Sequence, residues 1–327
     1  MVQQIPALHP LFGGLPQAFL VTGGTGFIGQ RLTAALLAAG HAVTILSRRQ
    51  RPAEMAPAPG LVFVSDLGQL PRDAAIDVVV NLAGARILGM PWSERRRATL
   101  LASRVGVTER LVRWIGGAAN KPRLLVSASA VGYYGVQPPG DDQWLTEDSP
   151  AQPIFMSELC QAWEQAAAAA CSHGVAVCCL RFGVVLGEGG GALPMLLLPV
   201  RFGFGGRLGS GQQWMSWVHI DDLLRAMAHV AHHGVPGRVG VWNVTAPQAA
   251  RQVEFSRTAA AILRRPSFLP TPAWPIRRAL GEQADLLLAG QRVAPARLLA
   301  EGFRFDHPDL AGALGALCAK PVPVQNA

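Results

Sequence analysis

The sequence predicts an α/β fold: a doubly wound parallel sheet with a smaller, mostly helical C-terminal domain. Three observations carry this. A chain of 327 residues is about twice the usual domain length, enough to bury a large core. Over its first 185 residues, short β-branched runs alternate with longer Ala/Leu-rich stretches of helical period, the pattern of a parallel sheet covered by helices. The β-branched runs are nearly continuous in apolar residues, as strands buried on both faces require.

In chain order, Phe19 to Thr22 reads as the first strand. A glycine turn follows, then a helix whose Ile28, Leu32 and Leu36 recur every four residues, with Gly40 placed where a helix needs a left-handed stop. Further strands are expected at Ala42 to Leu46, Leu61 to Val64, Ile76 to Val80, Arg123 to Val126 and Val175 to Leu180. Helices are expected from Trp92 to Ala119 and from Phe155 to Ser172, where Phe155, Leu159 and Trp163 share a face. Only ten residues separate Leu67 from Val78, which is short for a crossover helix. Beyond Gly187 the alternation breaks down. Trp217 to Val230 resumes helical periodicity, Val241 to Val244 reads as one more buried strand, and the remainder is helical between prolines at 266, 270, 272 and 275. The organisation read from this is an N-terminal extension (1–17), a nucleotide-binding sheet domain (18–186 and 216–246) and a C-terminal substrate domain (187–215 and 247–327).

Composition narrows the function classes. Half of the residues are hydrophobic and 15% are charged, which excludes disorder as the main state. The formal charge is +8 and the pI near 10, yet the basic residues are scattered, without a long stripe or interleaved aromatics, so nucleic acid is not an expected partner. The longest apolar run, Ala192 to Val200, is far too short to span a membrane. Five cysteines without metal-ligand spacing fit a reducing cytoplasm, and Met1 to Gln17 lacks the basic start and apolar stretch of a signal peptide. All but two of the 29 basic residues are arginine, the lysines being Lys121 and Lys320, and the two tyrosines are the neighbours Tyr133 and Tyr134.

The strongest chemical signal is the run Gly23, Gly24, Thr25, Gly26, Phe27, Ile28, Gly29, which satisfies G-x-G-x-x-G between a buried strand and a periodic helix. Such a turn lets the backbone approach a pyrophosphate, and the helix start offers free N–H groups and about half a positive charge. No G-K-[ST] follows, so a P-loop is excluded. Where an NAD site carries an acid to hold the ribose 2′-hydroxyl, this chain has Ser47, Arg48 and Arg49. Arginine suits a 2′-phosphate, so the cofactor expected is NADP(H), with NAD(H) the lesser alternative.

These residues, with N-L-A-G at Asn81 to Gly84, S-A-S-A-V-G-Y-Y-G at Ser127 to Gly135 and W-V-H-I-D-D at Trp217 to Asp222, resemble the extended, epimerase-like branch of the short-chain dehydrogenase/reductase superfamily. Ser103-Arg104, Trp163-Glu164, Leu180 to Gly183 and Gly290 to Val293 look like the subfamily labelled nucleoside-diphosphate-sugar epimerase, which carries a short helical C-terminal domain. The resemblance implies a Rossmann sheet, with Asn81, Leu82, Ala83 and Gly84 closing over the cofactor and Asp66 with Leu67 near its adenine. It also implies a serine that positions the substrate oxygen, matched by Ser129, and a tyrosine with a lysine four residues on.

The tyrosine and lysine places fall at Met156 and Cys160, and neither Tyr133 nor Tyr134 has a lysine four residues on. The candidate acid/base groups are therefore Tyr133 or Tyr134 acting with Ser129. Cys160 is read as a buried hydrophobe rather than a thiol participant. His219 is a candidate base, but His219 to Asp222 reads better as a cap in which Asp221 or Asp222 starts the next helix. Arg181 and Arg207 are candidate contacts for an anionic substrate. Two functions stand: an NADP(H)-dependent oxidoreductase or epimerase-like enzyme of a small, nucleotide-linked or other, substrate, and a non-catalytic NADPH-binding sensor or regulatory module. The helices at 92–119 and 155–172 correspond by resemblance to a homodimer interface.

Overall fold

The computed structural model describes residues 12, 15–48, 55–89, 91–138 and 140–318. Its centre is a seven-stranded parallel sheet made of β1 (Ala18–Thr22), β2 (Ala42–Leu46), β3 (Leu61–Val64), β4 (Val78–Asn81), β5 (Leu124–Ala130), β6 (Ala176–Phe182) and, later in the chain, β10 (Val239–Val244). The spatial order is β10-β6-β5-β4-β1-β2-β3, so the strand order reverses beside β1, the switch point at which such sheets bind ligands. Between β6 and β10 lie three short strands, β7 (Val184–Leu186), β8 (Trp214–Met215) and β9 (Trp217–His219); β11 (Ala250–Arg251) pairs antiparallel with β8, and β7 pairs with β9.

The strand period of two divides the core into two layers. Phe19, Val21, Val78, Val80, Leu124, Val126 and Leu180 face one layer, shared with Leu32 and Leu36 of α1 (Phe27–Ala38) and with Leu223, Met227 and Val230 of α6 (Ile220–His233). Leu20, Val79, Leu125, Val177 and Cys179 face the other, shared with Leu111 and Ile115 of α3 (Val107–Gly117) and Ala167 of α4 (Phe155–Ala168). Burying each such side chain contributes roughly 1.5–3 kcal/mol.

α2 (Glu94–Leu101) runs into α3 through a π turn at Ala102–Gly106, so the single helix expected from Trp92 is interrupted where Arg104 projects. Gly40 and Gly174 both adopt positive φ (82° and 80°) after helix ends. One expectation is met and two are corrected. The crossover between β3 and β4 is reduced to one 3-10 turn, Leu67–Gln69, for want of chain length. Trp217 to His219 is strand, not helix, because Val184–Leu186 offers it a pairing partner. The fifth strand continues through Ser-Ala-Ser-Ala, residues without hydrophobic periodicity, because β6 pairs with all of it, Ser129 lying opposite Arg181.

The C-terminal part packs α5 (Leu193–Arg201), α7 (Gln252–Leu263) and the helix Leu310–Cys318 around Trp217 and Phe255. Asp222, fully buried on α6, ties this part to the sheet domain by accepting the N–H groups of Asp306 and His307 at 2.8 and 2.9 Å.

Candidate active site

The glycine turn lies between β1 and α1 at the switch point. Gly23 has φ +69°, and a Cβ there would stand 2.6 Å from the Leu82 carbonyl oxygen. A Cβ at Gly29 would stand 2.2 Å from the Gly23 oxygen, and one at Gly24 would stand 2.9 Å from Ile45. These three glycines are demanded by packing alone. Gly26 differs: its φ of −81° and ψ of 173° suit any residue, and its Cβ would meet one atom, the Gly23 oxygen at 3.2 Å. Gly26 is the N-cap of α1 and is exposed, with no side chain capping the helix, so the first N–H groups of a three-turn helix are left open to an anion. Thr25, Phe27 and Ile28 are partly buried around it; the Thr25 carbonyl accepts from Gln30, and Phe27 packs against Gly187, Gly190 and Gly191. The residues present thus fit a dinucleotide pyrophosphate.

Facing this turn is the end of β4. The Asn81 side chain is fully buried, accepting from Thr22 Oγ1 at 2.7 Å and donating to Thr108 Oγ1 at 2.8 Å and Ser127 Oγ at 3.3 Å. It binds β1, β4, β5 and α3 together, leaving Leu82 and Ala83 against Gly23 of the turn and Gly84 exposed beside Arg104. At the far end, Ser47 follows β2 with its N–H on Val64 O, and Arg48 is exposed; Arg49 lies outside the described residues. Asp66 is exposed and caps the 3-10 turn, accepting Gly68 N–H at 2.8 Å beside the partly buried Leu67.

At the end of β5 the structure assembles a network that the sequence offered only in pieces. Ser129 Oγ donates to Glu164 Oε1 at 2.7 Å. Glu164, from α4, holds Arg181 of β6 by both its oxygens, at 2.8 Å each. Arg181 also donates to Tyr134 Oη at 2.9 Å, and Tyr134 in turn donates to Asn243 Oδ1 at 2.6 Å. The Arg181 guanidinium lies 3.3 Å from the centre of the Tyr133 ring. Burial opposes its charge, but Glu164 outweighs that and raises its pKa. Arg181 is therefore buried and bonded within the protein through each of its three nitrogens, which leaves it closed to an anionic substrate; Arg207 is exposed elsewhere, beside Arg257 and Phe268. Tyr134 is 1% exposed, and burial pushes its hydroxyl up to about 12 against the pull of Arg181. Its hydroxyl is already shared between two partners. Tyr133 is half-buried, its backbone carbonyl accepting from Ser157.

Met156 and Cys160 lie together against Gly132, the Met156 methyl 3.1 Å and the Cys160 sulfur 3.9 Å from where a Cβ would be. Burial pushes the Cys160 thiol up to about 12, which leaves it inert at neutral pH, as its helical neighbours predict. A cation nonetheless reaches this place. Arg104, projected by the π turn, donates to Ala85 O at 3.1 Å, stacks over the Trp163 ring at 5.3 Å and touches Gly84, and burial lowers its pKa. The sequence signal for it was the Ser103-Arg104 pair; its position is a tertiary fact. Such turns recur at functional sites.

His219 is 3% exposed, and burial, with His307 next, pushes its pKa down to about 3. It caps α6 itself, its Nδ1 accepting Asp221 N–H at 3.2 Å, rather than leaving that to either aspartate. Asp222 is instead spent on the C-terminal segment.

Comparison with known proteins agrees with this architecture. Residues 19–245 match the model of the NAD dependent epimerase/dehydratase family, and residues 271–317 match a domain of unknown function, DUF1731. The chain is 39% identical over 302 residues to epimerase family protein YfhF of Bacillus subtilis, covering 91% of this chain and 97% of that one. It is 40% identical over 308 residues to the human epimerase family protein SDR39U1, covering 92% and 99%. The crystal structure of that human protein (isoform 2) with NADPH superposes with a TM-score of 0.79 at 37% identity, over 92% of this chain and 99% of that chain. Among the described residues, no helix is long and apolar enough to cross a membrane. By its two matched regions and its full-length relatives, the chain belongs to the NAD dependent epimerase/dehydratase family, in the extended short-chain dehydrogenase/reductase branch.

Proposed function

We propose that the chain is an NADP(H)-dependent oxidoreductase or epimerase-like enzyme of a small molecule, nucleotide-linked compounds being the first class to try. The observation that carries this is Gly26: its missing side chain is required by no contact closer than 3.2 Å, yet it keeps an uncapped helix start open at the switch point of the sheet. The NADPH in the human relative and the exposed Arg48 support the phosphorylated cofactor. Gly23 to Gly29 would hold its pyrophosphate, Leu82 to Gly84 would border it, and Ser47 with Arg48 would meet the 2′-phosphate. Bound there, the dinucleotide supplies hydride exchange at its nicotinamide C4.

Without a tyrosine–lysine pair, the protein's own proton path is the Ser129–Glu164 bond. Since Ser129 donates its proton to Glu164, its lone pairs are free to accept a substrate hydroxyl. A substrate proton moves onto Ser129 Oγ as the serine's own proton passes to Glu164 Oε1. Tyr133, half-buried beside Arg181, would be the phenol that meets the substrate, while Tyr134 positions Arg181 and through it Glu164. Arg104 supplies the cation. The test follows NADPH absorbance, lost with carbonyl compounds and gained from NADP+ with hydroxyl-bearing nucleotide sugars, together with chromatography of the sugars for epimerisation, which consumes no net cofactor: turnover with a member of the panel is expected, abolished by Ser129→Ala and much reduced by Tyr133→Phe.

The second reading is a non-catalytic NADPH-binding sensor, favoured by the packing of Met156 and Cys160 where the usual dyad would stand. Tight NADPH binding with no turnover across the panel would select it.

A further inference from the structure

We propose that His229, His233 and Glu301 form a binding site for a divalent first-row transition metal of the zinc class, clipping α6 to the C-terminal segment. The site lies at the C-terminal end of α6, away from the glycine turn and from Ser129. His229 and His233 are four residues apart on one helix and therefore share a face. Glu301 follows the short helix Ala296–Ala300 and approaches that face. His229 Nε2 lies 3.4 Å from Glu301 Oε2, and His233 Nδ1 lies 3.8 Å from the same oxygen. One donor atom of each of the three residues lies within 4.8 Å of the others. Metal–ligand bonds of about 2.0–2.2 Å in a tetrahedron place donors roughly 3.3 Å apart, so the first pair is already at ligand spacing; His233 Nδ1 bonds the His229 carbonyl at 3.1 Å, and His233 joins the set by turning its ring off that carbonyl.

Two further observations separate this cluster from an ordinary ion pair. The buried Nε2 of His229 has no hydrogen-bond partner although a carboxylate faces it, so its lone pair or proton is unused. The ligands are held from outside: Trp242 Nε1 donates to both Glu301 oxygens at 2.9 and 3.0 Å, and the Phe303 ring packs edge-on to His229 at 5.3 Å. Outer bonds of this kind orient ligating carboxylates and imidazoles. The side chains retain 22%, 38% and 23% exposure, leaving room for water to complete the shell. Two nitrogens and a carboxylate oxygen suit zinc better than magnesium or calcium.

A second cluster, His219, Asp221 and His307, serves as the control. There His219 is only 3% exposed and its Nδ1 fixes the start of α6, so the cluster is closed to the water that would complete a metal's shell, whereas His229 and His233 keep 22% and 38% of their side chains open.

The experiment is isothermal titration of the untagged, full-length, chelator-dialysed protein with zinc chloride, with magnesium chloride as comparison, alongside thermal melts. Expected are equimolar, saturable zinc binding and a rise in Tm that magnesium does not produce. His233→Ala, at a half-open surface position that leaves the fold intact, and Glu301→Gln should each weaken zinc binding by at least about tenfold, while His307→Ala leaves it unchanged. Absence of saturable zinc binding overturns the proposal. So does binding that survives His233→Ala, or that is lost with His307→Ala instead.

Discussion

Replacing Gly26 and Gly29 separately by alanine should divide the two reasons for glycine within one short turn. At Gly29 the new Cβ would stand 2.2 Å from Gly23 O and 2.6 Å from Gly24 Cα, both backbone atoms, so the turn itself has to move. Overpacking of this severity costs about 3 kcal/mol or more, which lowers Tm by about 6 °C or more. At Gly26 the backbone angles are ordinary and the single contact is 3.2 Å. Exchanging glycine for alanine at an N-cap costs only about 1 kcal/mol, or about 3 °C at most. The methyl group would, however, stand over the open N–H groups of α1, where the pyrophosphate is to lie. A loss of about 100-fold in NADPH affinity is expected there, equivalent to about 2.8 kcal/mol. Thermal melts without cofactor and fluorescence titration with NADPH, run on both variants, read the two effects independently. If Gly26→Ala bound NADPH as tightly as the parent, the reading of the open helix start would be wrong; a Gly29→Ala protein that melted like the parent would refute the packing argument.

Three other outcomes are expected. Glu164→Gln keeps the shape of the side chain but leaves Arg181 with an uncompensated charge where the side chains are 4% and 12% exposed, so urea unfolding should show a loss of about 3–5 kcal/mol; a loss below about 1 kcal/mol would show that the pair is not buried in solution. His219 has a folded pKa of about 3 against an ordinary 6.5, so the stability it contributes is complete above pH 6.5 and is lost as pH falls from there toward 3. The loss is on the order of a few kcal/mol, and His219→Asn, which can still cap α6, should flatten the acid limb of the stability curve; superimposable curves would exclude this origin. A homodimer through the outer faces of α2 to α4, which carry the exposed Leu101, should appear by light scattering at twice the 34.6 kDa chain mass, and a monomeric mass would rule it out.

The strands and their order of appearance were legible because burial on both faces leaves runs such as Val78 to Val80 that have no other use in a water-soluble fold. The glycine turn was legible too, since G-x-G-x-x-G between a buried strand and a periodic helix is a local pattern, although the atoms that crowd Gly23 and Gly24 belong to Leu82 and Ile45, far along the chain. Legibility failed where a partner distant in the chain decides. Ser127 to Ala130 has no periodic signal and becomes strand because β6 pairs with it, and Trp217 to His219 looks helical until β7 lies beside it.

What the sequence alone determined is which catalytic motif the chain does not spell. With lysines at 121 and 320 and tyrosines at 133 and 134, no tyrosine has a lysine four residues on. Only the tertiary structure decided which side chains meet at the end of β5. Ser129, Glu164, Arg181 and Tyr134 come from β5, α4, β6 and the turn after β5, and Arg104 from a π turn between two helices. Composition and local period report which side chains are available and which elements they build; a hydrogen bond of 2.7 Å between residues 35 positions apart depends on how those elements pack, and that is fixed by the core they bury together.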